Sequence, residues 1–275
     1  MDFLKKHPFL VIYIVLMIGA VVFKIGGGWI LLGSLGYLLL VALIRLPNTC
    51  ARIGYFAQGV MKKKELAFHF YEFAFRHGST AAAPKVAYAM QLMEKCRYEE
   101  SKQALEDVLV MKDLQPTLLK IVRQDLAIAY WNCGELEKAI DTLENMKEDY
   151  DLLSAEYYTT LGYFYIEAKD YDKAAEATEE ALKLDEGNGG AYDNLALIEY
   201  EQGHMEEAKE LFHKALEMKE SLASSKYYLG LIYEAEGDIE TARTYFSGAY
   251  NSRITGMNTV SREQVDAKYN EYLDK

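Results

Sequence analysis

The feature that most constrains this chain is a set of small residues that returns at fixed intervals. Gly162, Ala174 and Ala181 are spaced by 12 and then 7 residues, and Ala196, Ala208 and Ala215 keep that spacing 34 residues on. Gly230, Ala242 and Ala249 keep it after another 34. Upstream, Ala127, Ala139 and Met146 repeat it at 35, Ala89, Ser101 and Val108 at 38, and Tyr55, Ala67 and Ala74 at 34 more. A period of this length marks a chain built from stacked supersecondary units. One small residue on a first helix and two on a second let a helix pair pack closely, with a turn at Gly134, Gly203 or Gly237. A single pair cannot bury its apolar face, so neighbours stack. The pattern predicts an all-α fold.

Bulky residues such as Leu161, Tyr165 and Tyr171 fill the space around the small ones. Together these residues resemble the tetratricopeptide repeat. The resemblance is close over 120–256, as units 120–154, 155–188, 189–222 and 223–256, and looser over 48–119. Departures are Glu199 in place of an aromatic, Thr178 in place of a bulky residue, and no proline at the unit ends. The resemblance implies an α-solenoid whose first helices line a concave, partner-binding face. On that face it places Trp131, Tyr163, Ile166, Leu197, Tyr200, Tyr227 and Leu231 as candidate partner-binding residues. A capping helix is expected over 257–275, where Ser261-Arg262-Glu263-Gln264 has capping-box form and Val265, Tyr269 and Tyr272 make one stripe.

The first 47 residues differ in kind. Phe9–Phe23 and Trp29–Ile44 contain no charged side chain, and Lys24 with the Gly26–Gly28 triplet lies between them. Extended to 8–25 and 29–46, with Pro47 as the stop, each is about 27 Å long at 1.5 Å per residue. The expectation is a two-helix transmembrane hairpin; a cleaved leader, a buried helical pair and a re-entrant pair are the competing readings. Lys5 and Lys6 precede the first run, and Arg45, Arg52 and Lys62–Lys64 follow the second, which places both termini and the repeats in the cytoplasm. The aromatic segment Glu65–Arg76 reads either as second helix of the first unit or as an interfacial helix touching headgroups.

Charge divides the same way. Residues 1–64 carry a net +7 and residues 65–275 a net −19, which argues against nucleic-acid binding because phosphate would be repelled. No catalytic or metal-ligating constellation stands out: the five His have no partner at helical ligand spacing, and Cys50, Cys96 and Cys133 are scattered. No enzyme activity and no cofactor is expected. The function expected is a membrane-anchored scaffold whose partner has hydrophobic anchors and basic flanks. The alternative is a subunit of a secretion, envelope-assembly or transport complex in which the hairpin carries specificity.

Overall fold

The structure, a computed structural model, describes residues 12–18, 27–112, 114–149, 153–254 and 258–273, and no strand occurs among them. The helices are α1 Gly27–Gly59, α2 Lys64–Arg76, α3 Ala82–Glu94, α4 Tyr98–Leu109, α5 Pro116–Asn132, α6 Leu136–Asp149 and α7 Ala155–Glu167. They continue as α8 Tyr171–Leu184, α9 Gly189–Gln202, α10 Met205–Met218, α11 Ala223–Glu236, α12 Ile239–Tyr250 and α13 Arg262–Leu273. Two compact units are formed, residues 1–88 and residues 89–275.

The turn inside each helix pair uses a left-handed residue. Lys62, Cys96 and Lys169 have φ between 55° and 61°, while Gly134, Gly203 and Gly237 have φ between 80° and 86°. Glycine meets this requirement at Gly237 without a Cβ clash; Cys96 and Lys169 meet it under strain. Counting from these residues fixes the packing. Five positions later stand Ala67, Ser101, Ala139, Ala174, Ala208 and Ala242. Nine positions later stand Tyr71, Leu105, Leu143, Thr178, Phe212 and Phe246. Twelve positions later stand Ala74, Val108, Met146, Ala181, Ala215 and Ala249. All of these are at most 1% exposed.

Close approach across each pair explains the small residue on the first helix. A Cβ at Gly230 would lie 2.6 Å from the Phe246 ring. At Gly162 it would lie 2.5 Å from Thr178 Oγ1, whose hydroxyl donates to the Ala174 carbonyl at 2.7 Å. Thr178 thus satisfies its own polar atom at the position where the other pairs carry a bulkier side chain. In the second unit each second helix also packs on the next first helix, as α8 does on α9 and α10 on α11. Capping residues set the helix starts: Ser154, Asp170, Asn188 and Asp238 each accept from a backbone N–H three residues on. The stack ends on α13, where Gln264 Oε1 accepts from the Ser261 N–H at 2.8 Å and Ser261 Oγ from the Gln264 N–H at 3.1 Å.

The first unit corrects one expectation. The second apolar run is not a helix that stops at Pro47; α1 runs 33 residues through it, about 50 Å at 1.5 Å per residue. An interior proline costs a hydrogen bond and about 3 kcal/mol. Burial offsets that cost, because Cys50, Ala51, Gly54 and Ala57 pack into the unit. Asn48 adds a polar lock: its Oδ1 accepts from Ser79 Oγ at 2.7 Å and from the Thr80 N–H at 3.0 Å. The distal end of α1 is therefore the first helix of a repeat-like pair with α2. In that pair Gly54, not Tyr55, makes the close approach, and it does so to Tyr71. Phe68 and Tyr71 of the aromatic segment are buried inside the unit. Of the first apolar run only 12–18 are described, and these are helical; most of the connecting loop lies outside the described residues.

Gly230→Ala should destabilise the chain by about 1–3 kcal/mol through the Phe246 contact. Lys169→Gly should stabilise it by roughly 1 kcal/mol by releasing the left-handed strain. Glu210→Leu on the exposed face should change stability by less than about 0.5 kcal/mol. Thermal melts of the three purified variants against the parent check the order.

Candidate functional site

In the second unit the first helices line one face and enclose a cavity of about 430 Å³. Ile128 and Trp131 of α5, Thr159, Tyr163 and Phe164 of α7, and Asp193 and Asn194 of α9 form its walls. Asn188, Gly189 and Gly190 at the start of α9, Lys219 beside α11, and Asn258 and Thr259 near the C-terminus complete it.

The structure separates the residues proposed from sequence. Trp131 is half-buried in the cavity wall, edge-on to the Tyr163 ring at 5.2 Å. Tyr163, 7% exposed, puts its hydroxyl 2.9 Å from Glu167 Oε1 and 3.4 Å from the Thr259 carbonyl, sharing one proton between two acceptors. Ile166 and Leu197 are buried in the core between successive repeats. Tyr200, Tyr227 and Leu231 are half-buried. Tyr200 and Tyr227 both meet Tyr228 edge-on, at 5.0 and 5.5 Å, and Leu231 packs beside Phe246 and Tyr272. The cavity therefore brings Trp131 and Tyr163 together, and the other five lie outside its wall.

Polar residues supply the rest of the wall. Asp193 is 4% exposed and accepts from Ser224 Oγ at 2.7 Å and from Ser225 Oγ. Burial pushes its carboxyl up to about 6, against the pull of the two hydroxyls and of Lys219. The pair of seryl donors sits in the first turn of α11, where a carboxylate is favoured by the helix dipole. Asn188 Oδ1 caps α9, and its Nδ2 donates to Thr159 Oγ1 at 3.0 Å; Asn194 Nδ2 donates to the Thr159 carbonyl at 2.8 Å. Glycine is required at 189, where a Cβ would lie 2.8 Å from Lys219 Cβ. Of the described lining residues Glu156, Asp185 and Asp193 are acids and Lys219 is the base. The sequence offered one signal for this: a Gly-Gly pair directly after an asparagine at a helix start. The contribution of Lys219, Asn258 and Thr259 had no local signal.

The arrangement suits recognition. It offers aromatic area, backbone-competent donors and acceptors, and an acidic bias. Among the described residues no group of three or more His, Cys, Asp or Glu is placed to hold a metal ion.

The tetratricopeptide-repeat family matches residues 155–188, 189–226 and 224–250. Residues 155–250 are therefore tetratricopeptide repeats. Among solved structures, a thermophilic tetratricopeptide-repeat protein of Thermus thermophilus matches with a TM-score of 0.57 at 15% identity, over 71% of this chain and all of the other. MamA matches at 23% identity over 67% of this chain and 97% of its own, with a TM-score of 0.43. YrrB, described as a tetratricopeptide-repeat protein with an unusual peptide-binding site, matches at 16% identity over 66% and 91%, with a TM-score of 0.42. The likeness to the Thermus protein is one of fold. No curated protein sequence matches the chain.

One acid on α5 makes a pH test of the stack. Asp125 Oδ2 is buried with no hydrogen-bond partner, and burial pushes its carboxyl up to about 7. The unfolded chain ionises it near 3.8, so stability falls as pH rises from about 4 to about 7 and stays reduced above that. Asp125→Asn should stabilise by on the order of 1–3 kcal/mol at pH 8 and by almost nothing at pH 4. Melts at the two pH values check the sign.

Proposed function

We propose that the chain is a membrane-anchored scaffold that holds a protein partner against the first-helix face of its repeats. The observation that carries this reading is the cavity itself: Trp131 and Tyr163 stand beside hydrogen-bonding groups and the acids Glu156, Asp185 and Asp193. Aromatic area supplies affinity, and acidic surroundings favour a partner with hydrophobic anchors and basic flanks. The net −19 of residues 65–275 extends that field beyond the cavity and speeds encounter at low salt.

Anchoring is supported by α1. Gly28–Gly59 is long and apolar enough to cross a bilayer, its most apolar 18 residues having a mean hydropathy of 2.1 and none of them being buried. Leu32, Leu35 and Leu39 are each more than 60% exposed, a surface that water disfavours and lipid accepts. A hairpin is supported by the helical stretch 12–18, since Tyr13 stacks on Tyr37 at 5.3 Å and donates to Ser34 Oγ at 3.2 Å. The flanking lysines and arginines favour a cytoplasmic repeat region.

Two experiments test the reading. In Glu156→Lys with Asp185→Lys, crosslinking from membranes should recover the partner about tenfold less well, with an unchanged melt. Retained capture would remove the cavity and favour the complex-subunit reading, in which an unrelated two-helix anchor in place of residues 1–46 abolishes function. For topology, Cys50, Cys96 and Cys133 are first replaced by Ser. Gly27→Cys should then react with an impermeant maleimide on intact cells, and Asn251→Cys should not. The reverse labelling pattern would invert the orientation.

A further inference from the structure

The chain's own C-terminal segment supplies part of the wall of the cavity. After α12, Arg253 and residues 258–260 contact other parts of the second unit. Arg253 Nη2 lies 2.9 Å from Glu94 Oε2 at the end of α3. Asn258 and Thr259 then form part of the cavity wall, and the Thr259 carbonyl lies 3.4 Å from the Tyr163 hydroxyl. Val260 is 1% exposed and packs with Ala223, Ala249 and Val265 beside Tyr227 and Tyr228. Beyond it the capping box at Ser261 opens α13, and Arg262 donates to the Tyr250 carbonyl at 2.9 Å with its guanidinium over the Tyr250 ring.

We propose that residues 258 and 259 act as a built-in competitor, covering part of the cavity until an external peptide segment displaces them. This deepens the reading of the cavity as the partner site and rests on it. Three features make the segment displaceable. The Tyr163 hydroxyl divides its one proton between the Thr259 carbonyl, at 3.4 Å, and the nearer Glu167 Oε1, at 2.9 Å. Thr259 Oγ1 is buried with no hydrogen-bond partner, so seating it leaves a polar atom unsatisfied. The Arg253–Glu94 pair joins a side chain 67% exposed to one 36% exposed, and exposed pairs hold weakly. The firm attachments, Val260 and the α13 cap, lie at the edge, so the segment can lift from the wall while the stack stays closed. A partner that reproduces the Thr259 carbonyl contact and brings basic flanks to Glu156 and Asp185 would outcompete it.

The test uses the full-length chain in dodecyl maltoside with Trp29→Phe, which leaves Trp131 as the sole tryptophan and places the reporter in the cavity wall. The release variant carries Asn258→Gly and Thr259→Gly; Arg253→Glu is a second variant that touches no buried side chain. The probe is a synthetic peptide of residues 253–262. Release should raise acrylamide quenching of Trp131, and the peptide should restore protection. The peptide should bind the release variant about tenfold more tightly than the parent, because an occupied cavity lowers apparent affinity by the fraction left open. Arg253→Glu should shift both readings in the same direction by a smaller amount. Unchanged quenching in a release variant of parental helicity, or equal peptide affinity in the two chains, overturns the proposal. If the double variant loses helicity, the peptide affinity of Arg253→Glu against the parent decides. These readings use the chain's own peptide and no external partner, so they fail or succeed separately from the crosslinking result.

Discussion

Everything in the stack depends on how closely two helices approach within a pair. The distance is set by a small side chain facing a large one across the pair, with a left-handed residue holding the turn between them. Gly230 against Phe246 is the clearest case: the ring fills the space that a Cβ would need. Close approach brings the buried positions five, nine and twelve residues after the turn into one layer, and those positions carry the contact to the next pair. The same geometry turns the first helices toward one side, and that side becomes the cavity.

The sequence was legible where its physics is local. The 12-then-7 spacing of small residues needs only helical periodicity, and the positions it marks from Ala89 to Ala249 are packed at 0% exposure where they lie on second helices. It was less legible where distant contacts decide. Pro47 reads as a stop in isolation, yet α1 continues because Ala51, Gly54 and Ala57 have α2 to pack against. Cys96 and Lys169 hold left-handed turns that carry no glycine to announce them.

The site shows the same division. Trp131 and Tyr163 were identifiable from their place in the repeat, and they line the cavity. Ile166 and Leu197 share that helical face by periodicity but are taken up by packing between repeats, as large apolar side chains in a close-packed stack tend to be. The polar wall could not be read locally, because Asp193, Ser224 and Thr259 come together only after three pairs have stacked and the chain has doubled back.

The unbroken α1 has a mechanical consequence. Its last dozen residues are the first helix of a repeat-like pair, so no loose linker separates the apolar half from that pair. In the membrane-anchored state proposed above, the pair would not swivel as a tethered domain would. In that state a change in tilt of the helix within the lipid would become a rotation of the pair itself. Local bilayer thickness, which sets tilt, would then act on the protein as a lever acts on its load.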